Sequence, residues 1–240
     1  AKAPPLLRKA LHSDMINSYA ENMMDVANSL EDFGDFSISQ YDEIEAITAS
    51  NLKKNQHLIT LGGDHSITYP IIKAFNNHYQ DFAILQIDAH SDLYDSFDGD
   101  KYSHACPFAR IMEGKYAARL IQMGIRAVTA HQREQAKKFK VEVQTMEHFD
   151  TNIINTIKKP LYLTLDLDGL DPAFAPGVSH HEPGGLSTRQ VLEIIHKINV
   201  PIIGADIVEY NPDRDINDMT ASLGAKFLKE ITAKIIESHQ

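Results

Sequence analysis

The chain has 240 residues, 43% of them hydrophobic, which is enough to bury a core within a single domain. Its formal charge of -10 leaves no basic face for a phosphate backbone or an anionic lipid surface, so neither nucleic acid nor a membrane is expected as a partner. A lone cysteine, Cys106, excludes an intrachain disulfide framework and a thiolate metal site; with no apolar run near the roughly 20 residues of a membrane span and no signal-type segment at the start, a cytoplasmic protein is expected.

A helix is predicted from Pro4 to His12, then a polar connector and a second helix near Ile44 to Leu52. HLITLGG (57–63) reads as a strand, Thr68 to Asn77 as a helix, and FAILQIDA (82–89) and RLIQMGIR (119–126) as strands. A helix over Ala130 to Lys140 precedes two more strands, VEVQTM (141–146) and PLYLTLDLD (160–168). A helix at Thr188 to Lys197, the strand PIIGADIVEYN (201–211) and a helix at Thr220 to His239 complete the order. Continuous apolar strands alternating with amphipathic helices predict an α/β fold, a mainly parallel sheet covered on both faces. No internal repeat or Gly/Ser linker divides the chain, so residues 1–240 read as one domain.

Ligands of open parallel sheets bind beyond the carboxyl ends of the strands. Here LITLGG leads into Asp64 and His65, ILQI into DAHSD, LYLTL into DLD, and IIGADIV into EYNP. Alternation lets Asp88, His90 and Asp92 project to one side of the extended chain, and Asp166 and Asp168 repeat the pattern. Like charges about 4 Å apart repel by several kcal/mol at intermediate dielectric, so such a cluster calls for cations. Four aspartates with two histidines suit two divalent ions, and oxygen and imidazole donors without thiolate favour Mn²⁺. Two such ions activate a water for hydrolysis. An aspartate at a strand exit is otherwise a turn residue or helix cap, and Asp64 is read that way. His104 in KYSHACPF is either a proton shuttle or an exposed histidine; Glu209 in VEYNP either pairs with a cationic group or caps a turn. Cys106 reads as a small buried thiol rather than a nucleophile.

GGDHS, DAHSD and DLDGLDPAFAPG resemble the three metal-binding signatures of the ureohydrolases, the arginase and agmatinase family. KYSHACPFARIMEG (101–114), GVSHHEPGGLS (177–187) and GADIVEYNPDRD (204–215) are most similar to plant-type arginases and their bacterial relatives. The resemblance implies a three-layer αβα sandwich, a homotrimer or homohexamer, and cleavage of a small cationic guanidino substrate to urea and an amine. It implies two Mn²⁺ per subunit, one held by His65, Asp88, Asp92 and Asp166, the other by His90, Asp88, Asp166 and Asp168. It further implies that His104 protonates the departing amine, that Glu209 orients the guanidinium, that Asp92 belongs to the catalytic set as well as to the ligands, and that His180 meets substrate where many members carry threonine. The loop DLYDSFDGDKYSH does not align with the one by which animal arginases read the amino-acid end of their substrate. L-Arginine to ornithine is the favoured reaction, agmatine to putrescine the alternative. The family's first strand is expected to be missing. A related metal-dependent deacetylase and a silent guanidino-binding relative are the remaining readings.

Overall fold

The computed structural model describes residues 2–14, 16–53 and 57–239. Its elements in chain order are α1 (Ala3–Leu11), α2 (Glu43–Leu52), β1 (Leu58–Leu61), α3 (Thr68–His78), β2 (Ala83–Ile87), α4 (Pro107–Glu113), β3 (Arg119–Ile125), α5 (Ala130–Phe139), β4 (Glu142–Thr145), β5 (Leu161–Asp166), α6 (Thr188–Lys197), β6 (Ile202–Val208) and α7 (Met219–Ser238). The strands form one parallel sheet in the order β1-β6-β5-β2-β3-β4. Central strands β2, β5 and β6 are buried along their whole length, whereas edge strands β1 and β4 are half-buried, which accounts for the continuous apolar runs.

Strand side chains alternate between two cores. Leu85, Ile87, Leu163 and Leu165 pack with α1, α6 and α7 through Leu7, Val191, Ile195, Phe227 and Ile231. On the opposite face Ile84 and Tyr162 meet Ile72 and Phe75 of α3, Phe108 of α4 and Leu52 of α2. Helices thus cover both faces, as the αβα expectation requires. Local chemistry sets the helix starts. Thr129 with Gln132, and Ser187 with Gln190, form reciprocal capping boxes at α5 and α6, while Pro4 and Pro107 sit in the first turns of α1 and α4, where an amide hydrogen has no helical partner anyway. Helix α4 was not expected from the sequence; seven residues are too few to show a period. Among the described residues, no helix is long and apolar enough to cross a membrane.

The exits of β1, β6, β5 and β2, four strands adjacent in the sheet, carry the candidate residues. These four strands therefore bring into one place residues that the chain separates by up to 144 positions.

Candidate metal centre

His65 opens a short 3-10 turn whose cap is Asp64, the side chain of which accepts from the Ser66 amide at 3.0 Å. Asp64 thus serves as the cap it was read to be. The His65 ring is fixed from behind: its Nε2 lies 2.9 Å from Thr164 Oγ1, and that hydroxyl donates to Asp206 Oδ1 at 2.6 Å. With its proton committed to Asp206, Thr164 can only accept from Nε2–H, so whenever the ring is neutral Nδ1 is the nitrogen with the lone pair. Nδ1 is buried and has no hydrogen-bond partner among the described residues, yet it stands 3.1 Å from carboxylate oxygens of Asp88, Asp92 and Asp166. An imidazole nitrogen facing three buried carboxylates needs a positive charge between them, which a divalent cation in place of a proton supplies.

A second group adjoins the first. His90 Nδ1 lies 3.2 Å from Asp168 Oδ2 and 3.5 Å from Asp88 Oδ1. The donor atoms of His65, Asp88, Asp92 and Asp166 lie within 4.8 Å of one another, as do those of Asp88, His90 and Asp168, so Asp88 is common to both groups. Asp166 falls only in the first; its Oδ1 accepts from the Asp168 amide at 2.8 Å. The turn 167–169 approaches so closely that a Cβ on Gly169 would sit 2.9 Å from the Asp88 amide nitrogen, so no side chain fits there. All six residues named from the sequence converge here.

Burial raises the cost of so many charges, and the groups respond by holding protons. Desolvation, reinforced by the charges of Asp168 and Asp88, pushes the Asp166 carboxyl well up, and desolvation with the Asp88 charge pushes Asp92 up to about 6. Desolvation opposes protonation of His90, but its ion pairs to Asp168 and Asp88 outweigh it and carry the ring up to about 12; His65 rises for the same reason through Asp166, Asp88 and Asp92. Asp88, which faces both charged rings, moves down despite its burial. Protons therefore occupy the positions where cations fit.

Two residues of the centre have left-handed backbones, Asp92 (φ 48°) and Glu209 (φ 64°), a conformation costing on the order of 1–3 kcal/mol for a residue with a side chain. Glu209 is held there by its amide, which donates to Gly63 O at 2.9 Å, and by its Oε1, which accepts from the His65 amide at 2.9 Å. Burial pushes its carboxyl up to about 8. At the rim His104 stacks on His180 (centroids 5.4 Å apart, 17° between planes), and His180 meets His90 edge-on at 6.0 Å. Arg214, exposed, donates from Nη1 to Ser179 O at 3.1 Å next to His180, and no carboxylate among the described residues pairs with it. Cys106 is buried as expected, its thiol pushed up to about 11 by burial.

Sequence reasoning passed over the polar layer beneath the centre. Gln86 Nε2 donates to Asp88 Oδ2 at 2.7 Å, and Gln122 Nε2 donates to Gln86 Oε1 at 2.6 Å. Asp206 accepts from Thr68, Tyr162 and Thr164 hydroxyls. A signal existed: AILQI, RLIQM, LYLTL and IIGADIV each carry a polar residue in the interior of a mostly apolar strand.

The parallel sheet and the buried histidine–aspartate groups at its carboxyl edge define a metalloenzyme of the α/β class. The chain belongs to the arginase family, whose model matches residues 1–233, and members of this metal-dependent family hydrolyse guanidino groups. It is 43% identical to arginase 1, mitochondrial, of Arabidopsis thaliana over 98% of this chain and 75% of that one, and 33% identical to an agmatinase of Bacillus cereus over 79% and 68%. The solved arginase from Medicago truncatula superposes with a TM-score of 0.92 at 40% identity, covering 98% of this chain and 81% of that one. The cytoplasmic expectation is corrected by these relatives: the Arabidopsis enzyme is named mitochondrial and its second form, 42% identical, chloroplastic/mitochondrial. Charge and a single cysteine constrain surface and redox chemistry but not which membrane encloses a protein.

Proposed function

We propose that the protein is an arginase, taking two Mn²⁺ per subunit and cleaving L-arginine to ornithine and urea. The observation that carries this reading is the pair of buried ligand groups sharing Asp88, in a chain 43% identical to a plant arginase over nearly its whole length. Oxygen and nitrogen donors without thiolate support Mn²⁺. The first ion would be held by His65, Asp88, Asp92 and Asp166, and the second by Asp88, His90 and Asp168, with Asp166 joining the second set as the family resemblance implies. When bound, the ions supply Lewis acidity and a water acidified to a nucleophile near neutral pH.

The chain's own residues do the rest. Glu209, buried and anchored on the His65 amide, accepts from the guanidinium and fixes which face it presents. The arriving cation supplies the partner that this carboxyl lacks. His104, half-buried at the rim and stacked on His180, is assigned proton delivery to the departing amine nitrogen, and His180 forms the wall beside it. Asp92, grouped with the ligands of the first ion, is also assigned to the catalytic set. Arginine is favoured over agmatine because it carries an α-carboxylate, and Arg214 offers an unpaired cation next to His180 in an otherwise acidic protein. Assembly as a homotrimer or homohexamer is part of the same reading, and light scattering on the Mn²⁺-loaded protein tests it. The decisive assay is urea release from arginine and from agmatine after Mn²⁺ loading. Turnover of arginine is expected; urea from neither substrate overturns the proposal, and urea from agmatine alone replaces it with the agmatinase reading.

A further inference from the structure

Just behind the second ligand group lies a guanidinium that no motif announces. Arg126 follows β3, and its side chain is half-buried. All three of its nitrogens donate to backbone carbonyls: Nε to Glu182 O at 2.9 Å, Nη1 to Gly124 O at 3.1 Å and Gly169 O at 3.0 Å, and Nη2 to Asp168 O at 2.9 Å, Leu170 O at 3.0 Å and Glu182 O at 2.6 Å. No carboxylate among the described residues forms an ion pair with it. A half-buried guanidinium normally takes a carboxylate; this one is spent entirely on orienting carbonyls, and the carbonyls belong to three separate segments. Two of those segments flank the candidate site: the turn 168–170, which contains Asp168, and the loop that runs from His180 to Glu182.

We propose that Arg126 is the positioning residue of the second ion: it fixes the Asp168 turn against the His180–Glu182 loop and so sets the Asp168 carboxylate opposite His90. The inference rests on the two-ion reading above. A planar fork is needed because the carbonyls of residues 168, 169 and 170 point at it from consecutive positions, and a point charge on a flexible stem cannot reach them together. Gly185 leaves room for both the fork and the chain beside it: a Cβ there would fall 2.5 Å from Arg126 Nη2 and 2.6 Å from the Asp171 amide nitrogen. Asp171 adds a second tie between the same segments, its Oδ2 accepting from the Gly184 amide at 2.7 Å. The first ligand group has no such link to Arg126. Its histidine is aligned by Thr164 and Asp206 instead.

The effect therefore divides the two ions, which a general loss of stability does not do. Mn²⁺ binding is measured by equilibrium dialysis against the full chain, wild type beside Arg126→Lys. Wild type is expected to take two ions, and Arg126→Lys to keep the affinity of the tighter one while losing about ten- to a hundred-fold for the other, the size of effect seen when support behind a ligand is removed. Should Arg126→Lys fail to fold, Arg126→Gln, which keeps a planar donor but shortens its reach to the carbonyls, is expected to show the same split. Two ions bound with wild-type affinities by a folded variant overturn the inference, as does an equal weakening of both. Failure of both variants to fold also overturns it, because the arginine then supports the whole fold rather than one ion. Fewer than two ions on wild type instead defeats the two-ion reading itself.

Discussion

At the scale of single residues, Asp166 and His90 make the sharpest expectations. Asp166→Asn keeps the shape of the side chain but removes a charge from a buried group, so Mn²⁺ binding and urea release are expected to fall together; full turnover by a variant depleted of metal would count against the ligand assignment. Proton bookkeeping gives a second test. Near pH 7 the metal-free chain holds protons on His65 and on His90, both raised above the ordinary histidine value, His90 to about 12. An imidazole ligates only when neutral, so ion binding must release these protons, and apparent affinity is expected to rise with pH. Calorimetry in two buffers of different ionisation heat reads the released protons directly, and equal heats in both would contradict the assignment. A third test is Arg214→Ala, expected to lower kcat/KM for arginine by about ten-fold, the scale of one exposed charge–charge hydrogen bond, and to leave any turnover of agmatine unchanged. The candidate ligands were legible because DxHxD and DxD place charged residues in alternation at the ends of apolar strands, where three such exits together exceed what capping calls for. Thr164, Asp206 and Arg126 were not, since their partners are a hydroxyl on the next strand or carbonyls 42 to 56 positions away, and no local pattern encodes such a meeting.

At the scale of elements, the helices of the α6–α7 layer are fastened at their ends and edges. Ser187 accepts from the Gln190 amide at 3.2 Å while Gln190 reaches back to the Ser187 amide at 2.9 Å. Ser187→Ala is expected to cost about 1 kcal/mol in urea denaturation, within the usual range for a lost cap, with metal binding retained. The connector 17–30 is pinned to these helices by charge. Arg189 Nη1 donates to Glu21 Oε2 at 2.6 Å, the Glu21 amide donates to Glu230 Oε1 at 3.0 Å, and Glu230 also takes His196 at 2.8 Å. The hydrogen bond from Arg189 holds the Glu21 carboxyl down at about 2 against a usual 4.5. A carboxyl lowered on folding stabilises the protein above its unfolded value and loses that contribution as pH falls from about 4.5 through 2. Acid titration of wild type should therefore be steeper over that window than that of Glu21→Gln, and superimposable curves would refute the pairing. Twelve of the thirteen described elements followed from apolar runs and period, because β2, β5 and β6 are buried on both sides and the amphipathic helices are not. Helix α4 escaped because PFARIME is nearly all buried: Phe108, Ala109, Arg110 and Ile111 leave no polar face from which a period can be read.

At the scale of the whole molecule, the candidate ligands come from the exits of β1, β2 and β5, so the first ion would tie together three strands of one sheet, with Glu209 after β6 joined to them through the His65 amide. Ions that bind the native chain and not the unfolded one add about 2.7 kcal/mol at a free concentration a hundred times Kd. For a chain of this size that corresponds to a rise of roughly 5–10 °C in the thermal midpoint, reversed by a chelator; an unchanged midpoint would exclude a centre linked to the fold. The order of strands in the sheet carries a kinetic consequence. β1 pairs with β6, joining His65 to Glu209 across 144 residues, and the Ala89 amide meets Asp168 across 79. Contacts so distant along the chain close slowly and late, and the ligand atoms come together only after they have closed. Ions therefore arrive at a nearly finished sheet and have nothing to grip before then. In stopped-flow experiments Mn²⁺ is expected to slow the unfolding arm and leave the refolding arm unchanged, making the metal a latch on the completed fold rather than a seed for its formation.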